Sequence, residues 1–307
     1  MFKRIAVLLS GSGVFDGAEI HESVLTLLAL EEAGAEIVMT APSGPQLHVV
    51  NHLSGVVSEN EQRDMLVEAA RIARGQIIDL ESIDLSRIDG VILPGGFGVA
   101  KNLSNLALHG ADCQVDPRVR DFLIAAKERS LPMGFACISP ALAAAVFREG
   151  KLTLGSAEEP AVEVLKALGA EHIVCKRDDI ICDAERKIAS TPAYMGDTTL
   201  KALRLGLKRM VDQVMAWANQ AEHGDVLSSL SGWSIIGQTL VKTWQLRDDI
   251  ESLQWVNRVW ALAQEVNHHP DIQLGYNTVT IALTTHDQNR LTQADYLLAQ
   301  QIESLDS

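Results

Sequence analysis

The chain has 307 residues, 47% of them hydrophobic and 21% charged, and a formal net charge of −14. That is length enough for two cores and an ordinary composition for a globular protein. The acidity argues against nucleic acid or an anionic membrane as a general partner, because both demand basic surface. No apolar run approaches the ~20 residues of a membrane span. The stretch Ile5-Ala6-Val7-Leu8-Leu9 is shorter than the ~7–15 residues of a signal-peptide core, so it reads as a first strand. Cys113, Cys137, Cys175 and Cys182 form no CxxC or zinc-ligand pattern, and a reduced, cytoplasmic protein is expected.

In chain order, residues 4–10 read as a buried strand and residues 19–33 as a helix that Gly34 stops. Residues 36–40 form a second strand, and residues 90–93 a third that runs into Pro94-Gly95-Gly96-Phe97-Gly98. Asp116-Pro117 opens a helix to about residue 129. Residues 133–136 are a strand that turns at Cys137 into a helix with Pro140 in its first turn. This alternation predicts an α/β domain with a parallel sheet sandwiched by helices. Periodicity fades near residue 220, which sets domains of 1–218 and 219–307. In the second, residues 233–236 and 239–246 read as a strand pair around Gly237-Gln238. Asp248 or Asp249 caps a helix carrying Leu253, Val256, Trp260, Ala263 and Val266 at helical spacing. A strand over 276–284 and a helix from Thr292 complete an α+β domain.

Chemistry concentrates at two places. The first is His268-His269-Pro270 with His286 and Asp295. Imidazoles titrate near physiological pH, which suits them to acid/base work. Pro270 fixes an extended start, and adjacent histidines in extended backbone face opposite ways, so a bend is needed for both to serve one ligand. The recognisable spacing of a metal site and its supporting partners is missing, so neither metal nor cofactor is expected. The second place is Cys137, at the N-terminus of a helix, where the dipole should lower the thiol pKa. Gly11-Ser12-Gly13 has the wrong spacing to Gly17 for a dinucleotide loop. His21, His48, His52, His109 and His172 show no partner pattern and read as surface or structural residues, while Lys101-Asn102 could reach toward the thiol.

The C-terminal segment resembles the pterin-4a-carbinolamine dehydratase family (4a-hydroxytetrahydrobiopterin dehydratase). The match lies in Gly232-Trp233, residues 263–271 (Ala-Gln-Glu-Val-Asn-His-His-Pro-Asp), Tyr276-Asn277-Thr278-Val279, Thr285-His286-Asp287 and Leu291-Thr292-Gln293-Ala294-Asp295. The resemblance implies a four-stranded antiparallel sheet backed by helices, assembled as a homo-oligomer. His268 and His286 would be the acid/base pair, with His269, Pro270 and Asp295 around the pterin. Two positions depart from the pattern: Gln264 stands where an acid is common, and Arg290 where a turn glycine is.

Residues 1–218 resemble the ElbB group (isoprenoid-biosynthesis glyoxalase) of the PfpI-like branch of the class I glutamine-amidotransferase-like superfamily. The signatures are residues 9–22 (Leu-Ser-Gly-Ser-Gly-Val-Phe-Asp-Gly-Ala-Glu-Ile-His-Glu), residues 94–104, Gly134-Phe135-Ala136-Cys137-Ile138-Ser139-Pro140 and Thr191-Pro192-Ala193-Tyr194-Met195. The resemblance implies a flavodoxin-like fold with a strained cysteine elbow paired to a glutamate. Glu22 is favoured for that role and Glu19, one turn away, remains open. Backbone N–H groups at Gly96 and Ile138 would bind an oxyanion. Histidine often follows the cysteine in this superfamily, and here Ile138 does, so the thiol is expected to add to small aldehydes such as glyoxal rather than to drive hydrolysis. The expected protein is a bifunctional fusion. A regulatory protein, with the thiol as oxidation sensor and the dehydratase fold as dimerisation module, is the alternative.

Overall fold

The computed structural model describes residues 2–237, 239–286 and 291–306. The chain divides into two compact units, Phe2–Ala218 and Asn219–Ser307, each described separately below.

The first unit holds β1 (Arg4–Leu8), α1 (Ile20–Glu32), β2 (Glu36–Ala41), α2 (Met65–Ile72), β3 (Ile78–Asp79), β4 (Gly90–Leu93), α3 (Phe97–Lys101), α4 (Pro117–Glu128), β5 (Met133–Ala136), α5 (Ser139–Phe147), β6 (Ile181–Asp183) and β7 (Ile188–Thr191). The strands form one seven-stranded sheet in the order β6-β7-β5-β4-β1-β2-β3. All pairings are parallel except β6 with β7. Central strands buried on both faces read as unbroken apolar runs, and β4 and β5 are buried at every position. Two clusters, one on each side of the sheet, divide the alternating strand residues: Ala6, Leu8 and Val91 in one, Ile5, Val7 and Ile92 in the other. α1 departs from an ordinary amphipathic helix, because its buried face carries Glu22, Ser23 and Thr26. Burying polar groups is costly unless they are hydrogen-bonded, and this face is turned toward the end of β5.

Helix α6 (Leu200–Ser229) runs through the division between the units. The fading periodicity near residue 220 therefore falls inside a continuous helix. The second unit adds β8 (Ser234–Ile236), β9 (Thr239–Gln245), α7 (Asp249–Val266), β10 (Asp271–Leu274), β11 (Thr278–Leu283) and α8 (Gln293–Glu303). Its sheet has the order β8-β9-β11-β10, antiparallel throughout. The extended segment after Pro270 is thus a strand in its own right. Gly275 begins the turn into β11, its N–H donating to the Thr278 carbonyl at 2.7 Å. The Gln238 position of the first hairpin lies outside the described residues.

Val279, Ile281 and Leu283 point inward from β11 onto Trp244 and Trp255. The Trp233–Trp244 rings meet edge-on at 5.4 Å and the Trp244–Trp255 rings tilt at 5.5 Å. The α7 stripe expected from sequence is borne out at Ala263 and at Val256, which packs against the core, and not at its other positions. Ser252, Trp255, Val259 and Ala263 are buried, whereas Leu253, Trp260 and Val266 are 51%, 46% and 40% exposed. Both sets have helical spacing, and the bulk of Trp255 decides which faces the sheet.

Candidate active sites

Cys137 leaves β5 with φ 58°, a left-handed conformation that a non-glycine side chain holds only when its surroundings enforce it. The enforcing contacts are local. Ser139 Oγ accepts from Ala136 N–H at 2.8 Å and donates to the Leu93 carbonyl at 2.9 Å, and Cys137 N–H donates to the Thr191 carbonyl at 3.0 Å. In the sequence Ser139 stands out only as part of the motif around Cys137. A Cβ on Gly95 would collide with Cys137 Cβ, and one on Gly96 (φ 100°) with the Gly17 carbonyl. Only glycine lets that turn come so close.

Glu22 is fully buried beside the thiol and hydrogen-bonded to it. Its Oε2 accepts from Gly95 N–H at 2.7 Å and its Oε1 from Tyr194 N–H at 3.2 Å. Glu19 instead caps α1, accepting from Glu22 N–H at 2.7 Å, and lines the neighbouring cavity. Burial, aided by the Glu19 charge, pushes the Glu22 carboxyl up to about 7 against the pull of its N–H donors. Burial and the Glu22 charge likewise push the Cys137 thiol well above its ordinary value, despite N–H groups of Gly96 and Ile138 directed at the sulfur. The dipole-lowered thiol expected from sequence is therefore corrected: in a dry site facing a carboxylate, desolvation outweighs a helix end. Thiol and carboxyl lie so close that the ionisation of each opposes that of the other.

A cavity of about 370 Å³ opens on the thiol, walled by Val14, Phe97, Ile138, Pro160 and Met195 together with Glu19 and Tyr194. The Tyr194 hydroxyl lies 3.0 Å from His21 Nδ1, so His21 has a partner that sequence spacing hid. Lys101 and Asn102 serve the loops rather than the thiol. Lys101 Nζ donates to the Phe15 carbonyl, and Asn102 Nδ2 to the carbonyls of Ser10 and Asp16. His52 accepts from Phe15 N–H at 3.2 Å, a structural contact.

In the second unit, α7 ends at Asn267, which adopts φ 51° and supplies the bend that two adjacent histidines need. His268 then places Nε2 2.8 Å from Asp295 Oδ1. Asp295 is fully buried. Its other oxygen accepts from Thr292 N–H at 2.7 Å and Thr285 Oγ1 at 2.9 Å, and with Thr292 it forms the capping box of α8. His269 turns to the Trp260 ring, centroids 5.5 Å apart. Pro270 is buried. Asp271 pairs with Ala282 in the antiparallel β10–β11 ladder, so the start of β10 and the end of β11 lie at one end of the sheet. That register brings Thr285 and His286 to the same end as His268. His286 is 60% exposed, its Nε2 3.8 Å from Asp271 Oδ2. Gln264 and Glu265 are exposed on the last turn of α7, and Asp287 and Arg290 lie outside the described residues. Among the described residues, no group of three or more His, Cys, Asp or Glu side chains is arranged to hold a metal ion, and no helix is long and apolar enough to cross a membrane.

Residues 216–305 match the family model Pterin 4 alpha carbinolamine dehydratase. A putative pterin-4-alpha-carbinolamine dehydratase of Thermomicrobium roseum is 39% identical over 93 residues, 30% of this chain and 100% of that protein. Human glutamine amidotransferase-like class 1 domain-containing protein 3, mitochondrial, is 42% identical over 220 residues, 69% of this chain and 82% of that protein. A crystal structure of an isoprenoid biosynthesis protein with an amidotransferase-like domain from Ehrlichia chaffeensis superposes with TM-score 0.65 at 33% identity, over 70% of this chain and 99% of that one. A parallel sheet with a strained cysteine elbow and an antiparallel sheet carrying a histidine pair thus define a fusion of two classes. The chain belongs to the glutamine amidotransferase-like class 1 family through its N-terminal region and to the pterin-4a-carbinolamine dehydratase family through its C-terminal domain.

Proposed function

We propose that domain 219–307 dehydrates 4a-hydroxytetrahydropterin, in pterin recycling, and that domain 1–218 is a cysteine-dependent enzyme acting on small reactive aldehydes. The observation that carries the first part is the His268–Asp295 hydrogen bond of 2.8 Å. A buried carboxylate accepting from Nε2 fixes the tautomer and leaves Nδ1 as the basic nitrogen. In the dehydration, His268 takes the pterin N5 proton, the N–H electrons form the C4a=N5 bond, and the C4a hydroxyl leaves as water with a proton from His286. His269 and Pro270 contact the pterin, and Asp295 holds the base in place. No metal or cofactor enters these steps. Purified protein should speed the loss of carbinolamine absorbance, and His268→Ala with His286→Ala should remove that acceleration.

For the N-terminal domain, Cys137 is the nucleophile, Glu22 takes its proton, and the N–H groups of Gly96 and Ile138 receive the oxyanion. Glyoxal consumption should vanish in Cys137→Ala; equal consumption by both proteins would remove the aldehyde reading. The sensor alternative is weaker, because oxidation-sensing thiols are exposed and acidic, whereas Cys137 is 9% exposed with a raised pKa. Four free cysteines support a reducing, cytoplasmic setting, and exposed Ile236, Ile250, Leu253 and Tyr276 support self-association through the C-terminal domain.

A further inference from the structure

We propose that the cavity over Cys137 is a binding site for organic cations, small molecules with an apolar body and one protonated amine, and that Glu19 is their counter-charge. This goes beyond the aldehyde reading and does not depend on it. Glu19 is 8% exposed and uses one carboxylate oxygen, Oε2, to accept from Glu22 N–H at 2.7 Å. Capping α1 requires only that one oxygen. Oε1 has no hydrogen-bond partner among the described residues, yet it is not sealed inside the protein, and the side chain lines the cavity. A carboxylate so far removed from solvent is costly until a cation or a donor meets it.

The rest of the lining leaves that charge unanswered. Val14, Phe97, Pro160 and Met195 are apolar, and no basic side chain stands among the described residues that line the cavity. Cys137 and Tyr194 line it too, but burial raises both pKa values and keeps thiol and phenol neutral at neutral pH. The basic groups of the surrounding loops are engaged elsewhere. Lys101 Nζ donates to the Phe15 carbonyl at 2.9 Å, His21 Nδ1 meets the Tyr194 hydroxyl at 3.0 Å, and Arg177 pairs with Glu159 at 2.9 Å. The Glu19 charge also reaches Glu22, helping to push that carboxyl up to about 7. Near neutral pH the site therefore holds the charge of Glu19 and a share of that of Glu22, and a cation beside them relieves their repulsion.

Size and charge together define the ligand. A volume of about 370 Å³ falls at the small end of the ~300–1,000 Å³ range of ligand cavities, room for one ring and a short chain. The apolar walls favour a hydrocarbon body. A carboxylate or phosphate would meet the Glu19 charge with no cation to offset it, and a neutral hydrocarbon would leave Oε1 unmatched. An ammonium brings both the opposite charge and an N–H donor to that oxygen. Pairing with a carboxylate already in place offsets the desolvation of the ligand.

Calorimetric titration of the full chain with phenethylammonium, phenethyl alcohol and hydrocinnamate near neutral pH tests this, because the three share a phenyl body and differ in charge. Wild type should bind the ammonium at least ~10-fold more tightly than the alcohol, and the carboxylate not at all. Glu19→Gln keeps an oxygen for the α1 cap and removes the charge, so ammonium affinity should fall to that of the alcohol, which itself changes little. Ala161→Phe fills the cavity from its wall and should remove binding of both. Equal wild-type affinity for ammonium and alcohol overturns the inference, as does a Glu19→Gln protein that keeps the preference. Undiminished ammonium binding in Ala161→Phe, or a wild type that binds none of the three, overturns it as well. None of these results touches the aldehyde reading, which stands or falls on glyoxal consumption by wild type against Cys137→Ala.

Discussion

Asp295 does two things at one residue: it caps α8 and it orients His268. The two separate by substitution. Asp295→Asn keeps the shape and the Thr292 contact but lets the imidazole reverse its tautomer, so dehydration should fall by ~10²-fold or more with a small change in melting temperature. Asp295→Ala also strands the Thr292 N–H and Thr285 hydroxyl, costing about 1–3 kcal/mol in urea unfolding. Unchanged dehydration in Asp295→Asn would show that the carboxylate is structural only. Glu22 carries a pH signature. Its folded pKa of about 7 lies above the ordinary 4.5, so the folded state favours the protonated carboxyl. The resulting stability is complete below pH 4.5 and disappears as pH rises through 7, a change of roughly 3 kcal/mol. Urea unfolding across that window should show the wild type losing more stability than Glu22→Gln; parallel curves would contradict the raised pKa. These residues differ in how visible they were beforehand. Cys137 and Glu22 sit in contiguous motifs, and Thr292 is visible in the sequence as the start of the last helix, whereas its capping box with Asp295 emerges only in the structure. Tyr194 and His21 stand 173 residues apart, and no local pattern joins them.

At the scale of elements, both sites are built where strands end. The elbow after β5 depends on the Gly95-Gly96 turn, and a methyl at Gly95 would meet Cys137 Cβ and lie 2.7 Å from Glu22 Oε2. Gly95→Ala should therefore lower thermal stability by ~1–3 kcal/mol and abolish aldehyde turnover together; a stable, active variant would mean that the approach is not tight. The parallel sheet was legible because β4 and β5 are buried on both faces and read as unbroken apolar runs. The histidine end of the second sheet was less so. β10 begins directly after Pro270 and alternates poorly in burial, so its pairing comes from the ladder with β11 rather than from its own pattern. The α7 stripe was misread at Leu253, Trp260 and Val266 for a related reason. Two apolar stripes run along that helix, and the outer one places Trp260 in the open beside His269.

For the whole molecule, the two proposed chemistries fall in two compact units and share no residue. Cys137→Ala should leave carbinolamine dehydration within about twofold of wild type, and His268→Ala should leave aldehyde turnover equally unaffected, as sites with no shared residue or partner act additively. A loss at one site caused by a substitution at the other would instead indicate coupling. The assignment of the C-terminal domain depends most on its imidazoles, and stopped-flow decay of freshly generated 4a-carbinolamine tests it directly. Wild-type protein should accelerate the decay at catalytic concentrations, with His268→Ala and His286→Ala each losing ~10²–10⁴-fold and the double variant matching buffer. A double variant that decays the carbinolamine as fast as wild type would contradict the histidine pair as the catalyst.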